Sequence, residues 1–275
     1  MNRELRAGIA RPTLLTSQPK PAVRMSSGAV IVIGRIVLIV VFCIAWQYLS
    51  DNQLIKPLFF GSPLGILGFL YDGLFVNRSL LPHLLWSVSA TLIAFVLGSV
   101  SGIGCGLLFA VYPNVGRFFD PFITAFNALP RIALAPLFIL WFGLGLVAKI
   151  AVGVSLSIVI LLSSTVAGAR SVDPDLLVLA RTLGATPTQV FFRITLPSAI
   201  PTIFSGLRLG LIYSLLGVIS AEIIGSVNGL GVVLTQSAGM FDTNGVFAVL
   251  VILALLGSVL TWGMNILEKR LLRWR

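Results

Sequence analysis

The stretch Leu179–Pro197, LARTLGATPTQVFFRITLP, decides the fold because it interrupts the hydrophobic pattern of the chain. It is polar, basic and punctuated by prolines, and long apolar runs lie on both sides of it. Of the 275 residues, 57% are apolar and only 10% are charged, whereas soluble domains have about 45–50% and about 25%. A soluble protein of this composition would expose large apolar patches, so the sequence predicts an integral membrane protein.

Six apolar runs are long enough to cross a membrane, since about 20 helical residues span about 30 Å of hydrocarbon. The runs cover residues 29–49, 84–112, 119–142, 148–169, 200–222 and 246–266. They predict an all-α membrane protein with about six transmembrane helices. The third run contains Pro130 and Pro136, which predict a kinked or broken span.

The distribution of positive charge predicts the orientation of these spans. If the N-terminus is cytoplasmic, most Lys and Arg residues fall on the cytoplasmic side, and only Lys56, Arg78 and Lys149 fall on the other. Both termini and the 179–197 stretch then lie on the cytoplasmic side of a bacterial inner membrane. Because no basic segment is interleaved with aromatic residues, the net charge of +10 does not indicate nucleic-acid binding.

The interrupting segment has the signals of two short helices joined by a turn. Asp173 and Pro174 predict the start of the first helix, and Gly184 predicts its end. Thr186-Pro187-Thr188-Gln189 has the capping-box pattern that starts a second helix. Leu196-Pro197 is expected to end that helix before the fifth span.

Ala180 and Gly184 lie four residues apart and share one helix face, where small residues allow another surface to approach closely. Leu183 and Phe192 add apolar area around them. Two interpretations of this segment follow from the residues alone. It is either a docking surface for another protein or an amphipathic hairpin on the membrane surface that holds the fourth and fifth spans in register.

The spacing of this segment resembles a known signature. Ala180-x-x-x-Gly184, nine residues, and then Ile194-x-Leu196-Pro197 is similar to the cytoplasmic loop of importer permeases of the ATP-binding cassette class. The family signature begins Glu-Ala-Ala, whereas this chain has Val178-Leu179-Ala180, so a carboxylate that could pair with the ATPase is missing. ALPRIALAPLFILWFGLG (128–145) and AEIIGSVNGLGVVL (221–234) are similar to the nitrate, sulfonate and taurine branch.

The resemblance implies a type I importer permease and a set of partners. Two permease chains, expected to be copies of this one, form a pathway, each contacts a cytoplasmic ATPase subunit that binds ATP-Mg, and an extracytoplasmic binding protein delivers the solute. The implied solute is a small anion such as a sulfonate, taurine or nitrate, although the branch also serves pyrimidine-like compounds.

The chain lacks the G-x-x-x-x-G-K-[ST] phosphate loop, so we expect it to be neither an ATPase nor an enzyme, with no cofactor of its own. The implied coupling residues are Leu179, Ala180, Leu183, Gly184, Ala185, Ile194, Leu196 and Pro197.

Four polar residues inside the spans are candidates for the pathway. Arg131 is either a positive group facing an anionic solute or a snorkelling or structurally paired arginine. Glu222 either faces the pathway or hydrogen-bonds the glycine-rich turn that follows it. Ser214 and Ser220 either offer hydroxyls to a solute or pack helices closely. Arg208, two turns into the fifth span, is expected to snorkel to the interface.

The remaining features organise the chain without adding chemistry. Glycines of the second span, Gly98, Gly102, Gly104 and Gly106, predict close helix packing or a dimer seam. His83 and the two cysteines lack partners at metal-ligand spacing. The predicted regions are a basic tail (1–28), a first span with an outer loop (29–80) that holds an interfacial helix near Pro63–Tyr71, a permease core (81–268) with a coupling loop (171–199), and a basic tail (269–275).

The sequence supports two other function classes less well than an importer permease. A secondary transporter would be expected to show an internal repeat, and residues 29–142 and 148–266 show none that is convincing. A membrane-embedded enzyme would need a metal or nucleophile constellation, which one histidine and isolated carboxylates do not offer.

Overall fold

The computed structural model describes residues 28–271, in which every regular element is helical. The predicted N-terminal tail, apart from Gly28, and residues 272–275 of the predicted C-terminal tail lie outside this range. The α-helices of the range are α1 (Gly28–Asp51), α2 (Pro57–Phe60), α3 (Pro63–Tyr71), α4 (Leu80–Val111), α5 (Pro113–Ala128), α6 (Ala135–Phe142), α7 (Leu146–Arg170), α8 (Pro174–Thr182), α9 (Pro187–Val190), α10 (Leu196–Ile224), α11 (Leu230–Gly239) and α12 (Thr243–Leu271).

Five of these helices, α1, α4, α7, α10 and α12, are long and apolar enough to cross a membrane. A sixth span exists if α5 and α6 are counted together with the short 3-10 turn between them, Arg131–Leu134, although the pair is bent by 84°. The prediction of about six spans, with the third one broken, is confirmed. The break occurs at Leu129, whose extended backbone (ψ 134°) is the conformation that a following proline favours.

The chain divides into two compact units, residues 1–46 and 47–275. The described part of the first unit is the segment of α1 from Gly28 to Trp46. In the second unit the predicted helix at Pro63–Tyr71 is confirmed as α3, which begins at Ser62, whose hydroxyl accepts a hydrogen bond from the Gly65 amide at 3.1 Å.

The core of the second unit is built around α7, which packs along both α4 and α10. Gly98, Gly102 and Gly106 of α4 face α7 so closely that a Cβ atom at Gly102 would lie 2.8 Å from the Cβ atom of Leu161. Gly104, on another face of α4, has no such neighbour within 4 Å. Small residues therefore bring α4 against α7, as the sequence predicts for three of the four glycines.

Candidate functional site

The predicted coupling loop begins with α8, and its start is as the sequence predicts. The Asp173 carboxylate accepts a hydrogen bond from the Asp175 amide at 2.9 Å, and Pro174 is the first helical residue. The cap satisfies one of the amides that a helix start leaves without a partner. Residues next to one another in the chain therefore fix the position of α8.

The turn after α8 is a Schellman motif centred on Gly184. The amide of Ala185 donates to the carbonyl of Ala180, and the amide of Gly184 donates to the carbonyl of Arg181, both at 3.0 Å. Gly184 has φ +79°, a backbone conformation that disfavours any side chain. The predicted role of this glycine as the helix terminator is confirmed.

The second loop helix, α9, begins with the predicted capping box. The Thr186 hydroxyl accepts from the Gln189 amide at 3.3 Å, and the Gln189 side chain accepts from the Thr186 amide at 2.9 Å. Both short helices of the loop thus have a fixed start, and the turn between them has a fixed geometry.

The prediction that Leu196-Pro197 ends the second helix is wrong. After α9 the chain passes through a π-turn, Phe191–Thr195, directly into α10, so that Pro187–Ile224 forms one helical segment of 38 residues. The Leu196 amide bonds the carbonyl of Phe191, five residues back. A widened turn of this kind accommodates the ring of Pro197, whose missing amide would otherwise interrupt the helix.

The residues of the predicted coupling set lie on two sides of the loop. Leu183 is 78% exposed at its tip, and Leu179 and Gly184 are also exposed. The sequence predicts that Ala180 and Gly184 share one exposed face, and this prediction is wrong. Ala180 is buried and faces the interior of the loop. The remaining members, Ala185, Ile194, Leu196 and Pro197, are half-buried.

A cavity of about 540 Å³ lies where the loop joins α10. Asp173 and Arg193 from the loop and Pro197 and Thr202 from α10 are among the residues that line it. The exposed apolar tip and this recess lie on the same loop.

At the opposite end of α7 and α10 lies a buried polar cluster centred on Glu222, which is 1% exposed. Its carboxylate accepts hydrogen bonds from the Ser87 hydroxyl at 2.8 and 2.9 Å and from the Gly231 amide at 3.0 Å, and it forms an ion pair with Lys149 at 3.2 Å. Lys149 also donates to the carbonyl of Asn228. Glu222 therefore ties α4, α7 and α10 to the turn that leads into α11.

The turn before α11 closes this cluster. The Gly229 amide donates to Nδ1 of His83 at 3.0 Å, and the Leu230 amide donates to the Ser87 hydroxyl at 2.8 Å. Gly229 has φ +122°, and a Cβ atom there would overlap the Glu222 carboxylate. A hydrogen bond with the glycine-rich turn is one of the two roles that the sequence predicts for Glu222, whereas the contacts with Ser87 and Lys149 are not predicted by it.

The other candidate pathway residues are distributed along the spans. Ser214 is fully buried in α10, with no hydrogen-bond partner for its hydroxyl within residues 28–271, whereas the half-buried Ser220 donates to the Leu216 carbonyl at 2.7 Å. Arg208 does more than snorkel, because it forms an ion pair with Glu268 of α12. The structure does not bring Ser214 or Glu222 to a solvent-facing surface of the chain.

Arg131 lies at the break between α5 and α6. Its guanidinium donates to the carbonyls of Phe126, Ser155 and Leu156 at 3.3–3.4 Å and to the side chain of Asn127. It also lies 5.4 Å from the centroid of the Phe126 ring, within the range of a cation–π contact. All of these partners are electrically neutral.

Residues 98–273, which include the loop, the Glu222 cluster except Ser87 and His83, and Arg131, match the family model described as "Binding-protein-dependent transport system inner membrane component". The chain belongs to this family. It is the permease subunit of an ATP-binding cassette importer, a transport component of the inner membrane. The resemblance given by the loop spacing is thereby confirmed.

Among its relatives, this permease is 32% identical to the putative aliphatic sulfonates transport permease protein SsuC of Bacillus subtilis, over 84% of this chain and 83% of the relative. It is 33% identical to the taurine transport system permease protein TauC of Escherichia coli, over 83% and 85%. It is 34% identical to the formylaminopyrimidine transport permease protein ThiX of Halalkalibacterium halodurans, over 84% and 92%.

Solved structures have the same fold. An inward-facing structure of the MetNI methionine transporter aligns with a TM-score of 0.62 at 20% identity, over 70% of this chain and 95% of that one. An amino acid transporter crystallised with histidines aligns with a TM-score of 0.58 at 19% identity, over 75% and 98%. At this identity the likeness concerns the helix arrangement alone.

Proposed function

We propose that this permease forms the pathway of an importer for a small organic anion and that the α8–α9 loop couples the pathway to a separate ATPase. The observation that supports coupling most directly is the continuity of Pro187–Ile224. Its 38 residues correspond to a rod of roughly 57 Å, which joins the loop to the Glu222 cluster at the other end. A displacement of α9 is therefore passed along α10 to the far side of the membrane.

The surface of the loop supports docking of a protein. Leu179 is exposed on α8, whose start and end are both fixed, and Leu183 is exposed at the C-cap that follows it. Exposed apolar side chains on a rigid element are typical of contact sites. Holding these side chains rigidly lowers the entropy lost on docking. In the absence of the family's leading carboxylate, shape and apolar contact carry more of the proposed interaction.

The proposed orientation places this loop and both termini in the cytoplasm. It is supported by the concentration of Lys and Arg on that side. The proposed partners are two ATP-binding subunits, which bind ATP-Mg, a second copy of the permease, and an extracytoplasmic solute-binding protein. The family description, a component of binding-protein-dependent transport, supports the last of these.

The proposed cargo class rests on relatives. Two of them are named for transport of aliphatic sulfonates and taurine, both of which contain a sulfonate group. A third is named for a formylaminopyrimidine, so relatives alone leave the class open to uncharged compounds.

The coupling proposal is tested with two substitutions at one position. Gly184→Trp adds bulk at the tip of the loop, and Gly184→Ala imposes the same backbone strain at φ +79° without the bulk. In proteoliposomes that contain the complete importer, we expect the tryptophan variant to lose ATP hydrolysis stimulated by the loaded binding protein, and the alanine variant to retain most of it.

Membrane insertion and oligomeric state of both variants are checked by size-exclusion chromatography in detergent. Normal stimulation in the tryptophan variant would show that the loop does not dock the ATPase. In that case the loop serves instead as a hairpin on the membrane surface, and a labelling experiment with lipid-soluble reagents would find its apolar side chains in the bilayer.

A further inference from the structure

The basic side chains inside the helix bundle differ in how their charge is balanced. Within residues 30–271, three Lys or Arg side chains are buried or half-buried: Arg131, Lys149 and Arg208. Lys149 pairs with Glu222, and Arg208 pairs with Glu268. Arg131 hydrogen-bonds three carbonyl oxygens and one amide side chain, and it lies over one aromatic ring. It is the one partly buried cation in this range without a carboxylate partner.

The contacts of Arg131 also show its depth in the bundle. Its guanidinium reaches the carbonyls of Ser155 and Leu156, which lie near the middle of α7. Leu156 is roughly 15 Å along the helix axis from the start of α7 at Leu146 and roughly 21 Å from its end at Arg170. An unbalanced positive charge at this depth is unfavourable in lipid, so it requires water or an anion nearby.

The backbone beside Arg131 points to water. The break at Leu129 and Pro130 is not helical, and both residues are exposed on the chain. Irregular backbone at membrane depth occurs only where protein buries it or where it lines a water-filled cavity. The unbalanced charge and the exposed break therefore favour a hydrated site in the same place.

The guanidinium has capacity for a further ligand. Arginine has five N–H donors, and the four hydrogen bonds of Arg131 use Nε once, Nη1 twice and Nη2 once. One N–H of Nη2 remains, together with the full positive charge. The contacts with Phe126, Ser155 and Leu156 hold the group in place so that this donor has a defined direction.

We infer that Arg131 binds the anionic group of the cargo, a sulfonate or a similar oxyanion, at a midway site in the pathway. The inference rests on the proposed function and adds to it a residue and a charge preference. The site attracts anions by its charge and gives them one direct hydrogen bond, while the neutral oxygen cage keeps the arginine from being neutralised by the protein. Weak binding of this kind suits a transient site that must also release its ligand.

The test measures the local electrostatic preference without depending on transport. A single cysteine is introduced at the exposed Ala128, three residues before Arg131, after Cys43 and Cys105 are replaced by alanine. The full-length permease is extracted in detergent as a complex with its ATP-binding subunits. Labelling rates are compared for two thiol reagents of similar size, the anionic 2-sulfonatoethyl methanethiosulfonate and its cationic trimethylammonioethyl analogue.

We expect the anionic reagent, itself an aliphatic sulfonate, to label this cysteine faster than the cationic one. Arg131→Gln should lower the anion-to-cation ratio by about tenfold, the size expected for unit charges several ångströms apart in a partly hydrated site. Arg131→Lys should restore most of the ratio. The double variant Arg208→Gln/Glu268→Gln, which removes a balanced pair elsewhere, should leave the ratio unchanged, and a cysteine at Leu183 in the loop should label independently of Arg131.

Two outcomes would overturn the inference. The first is an anion-to-cation labelling ratio that Arg131→Gln leaves unchanged, in a variant that elutes as the parent complex does. It would show that the charge of Arg131 does not attract anions to the site. No labelling by either reagent, while the Leu183 cysteine reacts, would show that the break is covered by protein or lipid. Neither outcome affects the coupling proposal, which depends on stimulated ATP hydrolysis.

Discussion

The buried ion pair between Lys149 and Glu222 gives the sharpest quantitative prediction. The two side chains are 3% and 0% exposed, so removing either charge leaves the other one inside the protein. Glu222→Gln keeps the shape of the side chain, including an oxygen that can still accept from Ser87 and Lys149, but it removes the negative charge and leaves the Lys149 ammonium buried with only neutral acceptors. We expect this variant to be destabilised by about 3–5 kcal/mol, the usual effect of breaking a buried pair.

The matching substitution and the double variant separate charge from packing. Lys149→Met should have a similar effect, because it leaves the Glu222 carboxylate buried with only neutral donors. The double variant Lys149→Met/Glu222→Gln removes both charges and should be less destabilised than the sum of the single variants by about 2–4 kcal/mol. The half-buried pair Arg208–Glu268, with side chains 37% and 22% exposed, serves as the control, and because solvent screens it more than the Lys149–Glu222 pair, its disruption should be worth about 0–1 kcal/mol.

The assay is thermal unfolding of the purified chain in detergent. The measured quantity is the fraction of protein that remains monodisperse after heating to each temperature. At about 2 °C per kcal/mol, the single variants should unfold roughly 6–10 °C below the parent chain. If the destabilisation of the double variant equals the sum of the two single variants, the reasoning is refuted, because the two charges then do not stabilise one another. Single variants that unfold with the parent chain would refute it as well.

Two further predictions concern glycines and use the same assay. Gly102→Val should destabilise the protein by about 1–3 kcal/mol, because it overpacks α4 against α7. Gly104→Val, at a position without a neighbour within 4 Å, should have a much smaller effect, and equal effects would contradict the packing assignment. Gly229→Ala should cost about 1–3 kcal/mol, because the new Cβ atom meets the Glu222 carboxylate and φ +122° suits glycine alone, and an unchanged midpoint would show that the turn relaxes freely.

The local geometry of the loop could be predicted because its signals act over a few residues. Asp173, Gly184 and the Thr186–Gln189 pair form hydrogen bonds within five positions in the chain, so their spacing alone indicates which bonds can form. The exception is Pro197, which usually ends or begins a helix. A π-turn allows a helix to continue through it, and no residue pattern distinguishes the two outcomes.

The sequence by itself determined the approximate number and positions of the spans, the break beside Pro130 and the caps of the loop, because apolar runs and backbone sterics depend only on neighbouring residues. Only the tertiary structure decided which charges are balanced. Glu222 meets Lys149 across 73 positions and Ser87 across 135, and Arg131 meets no carboxylate within residues 28–271. These facts follow from how α4, α7 and α10 pack side by side, since partners so far apart in the chain are chosen by helix packing and leave no pattern in the sequence.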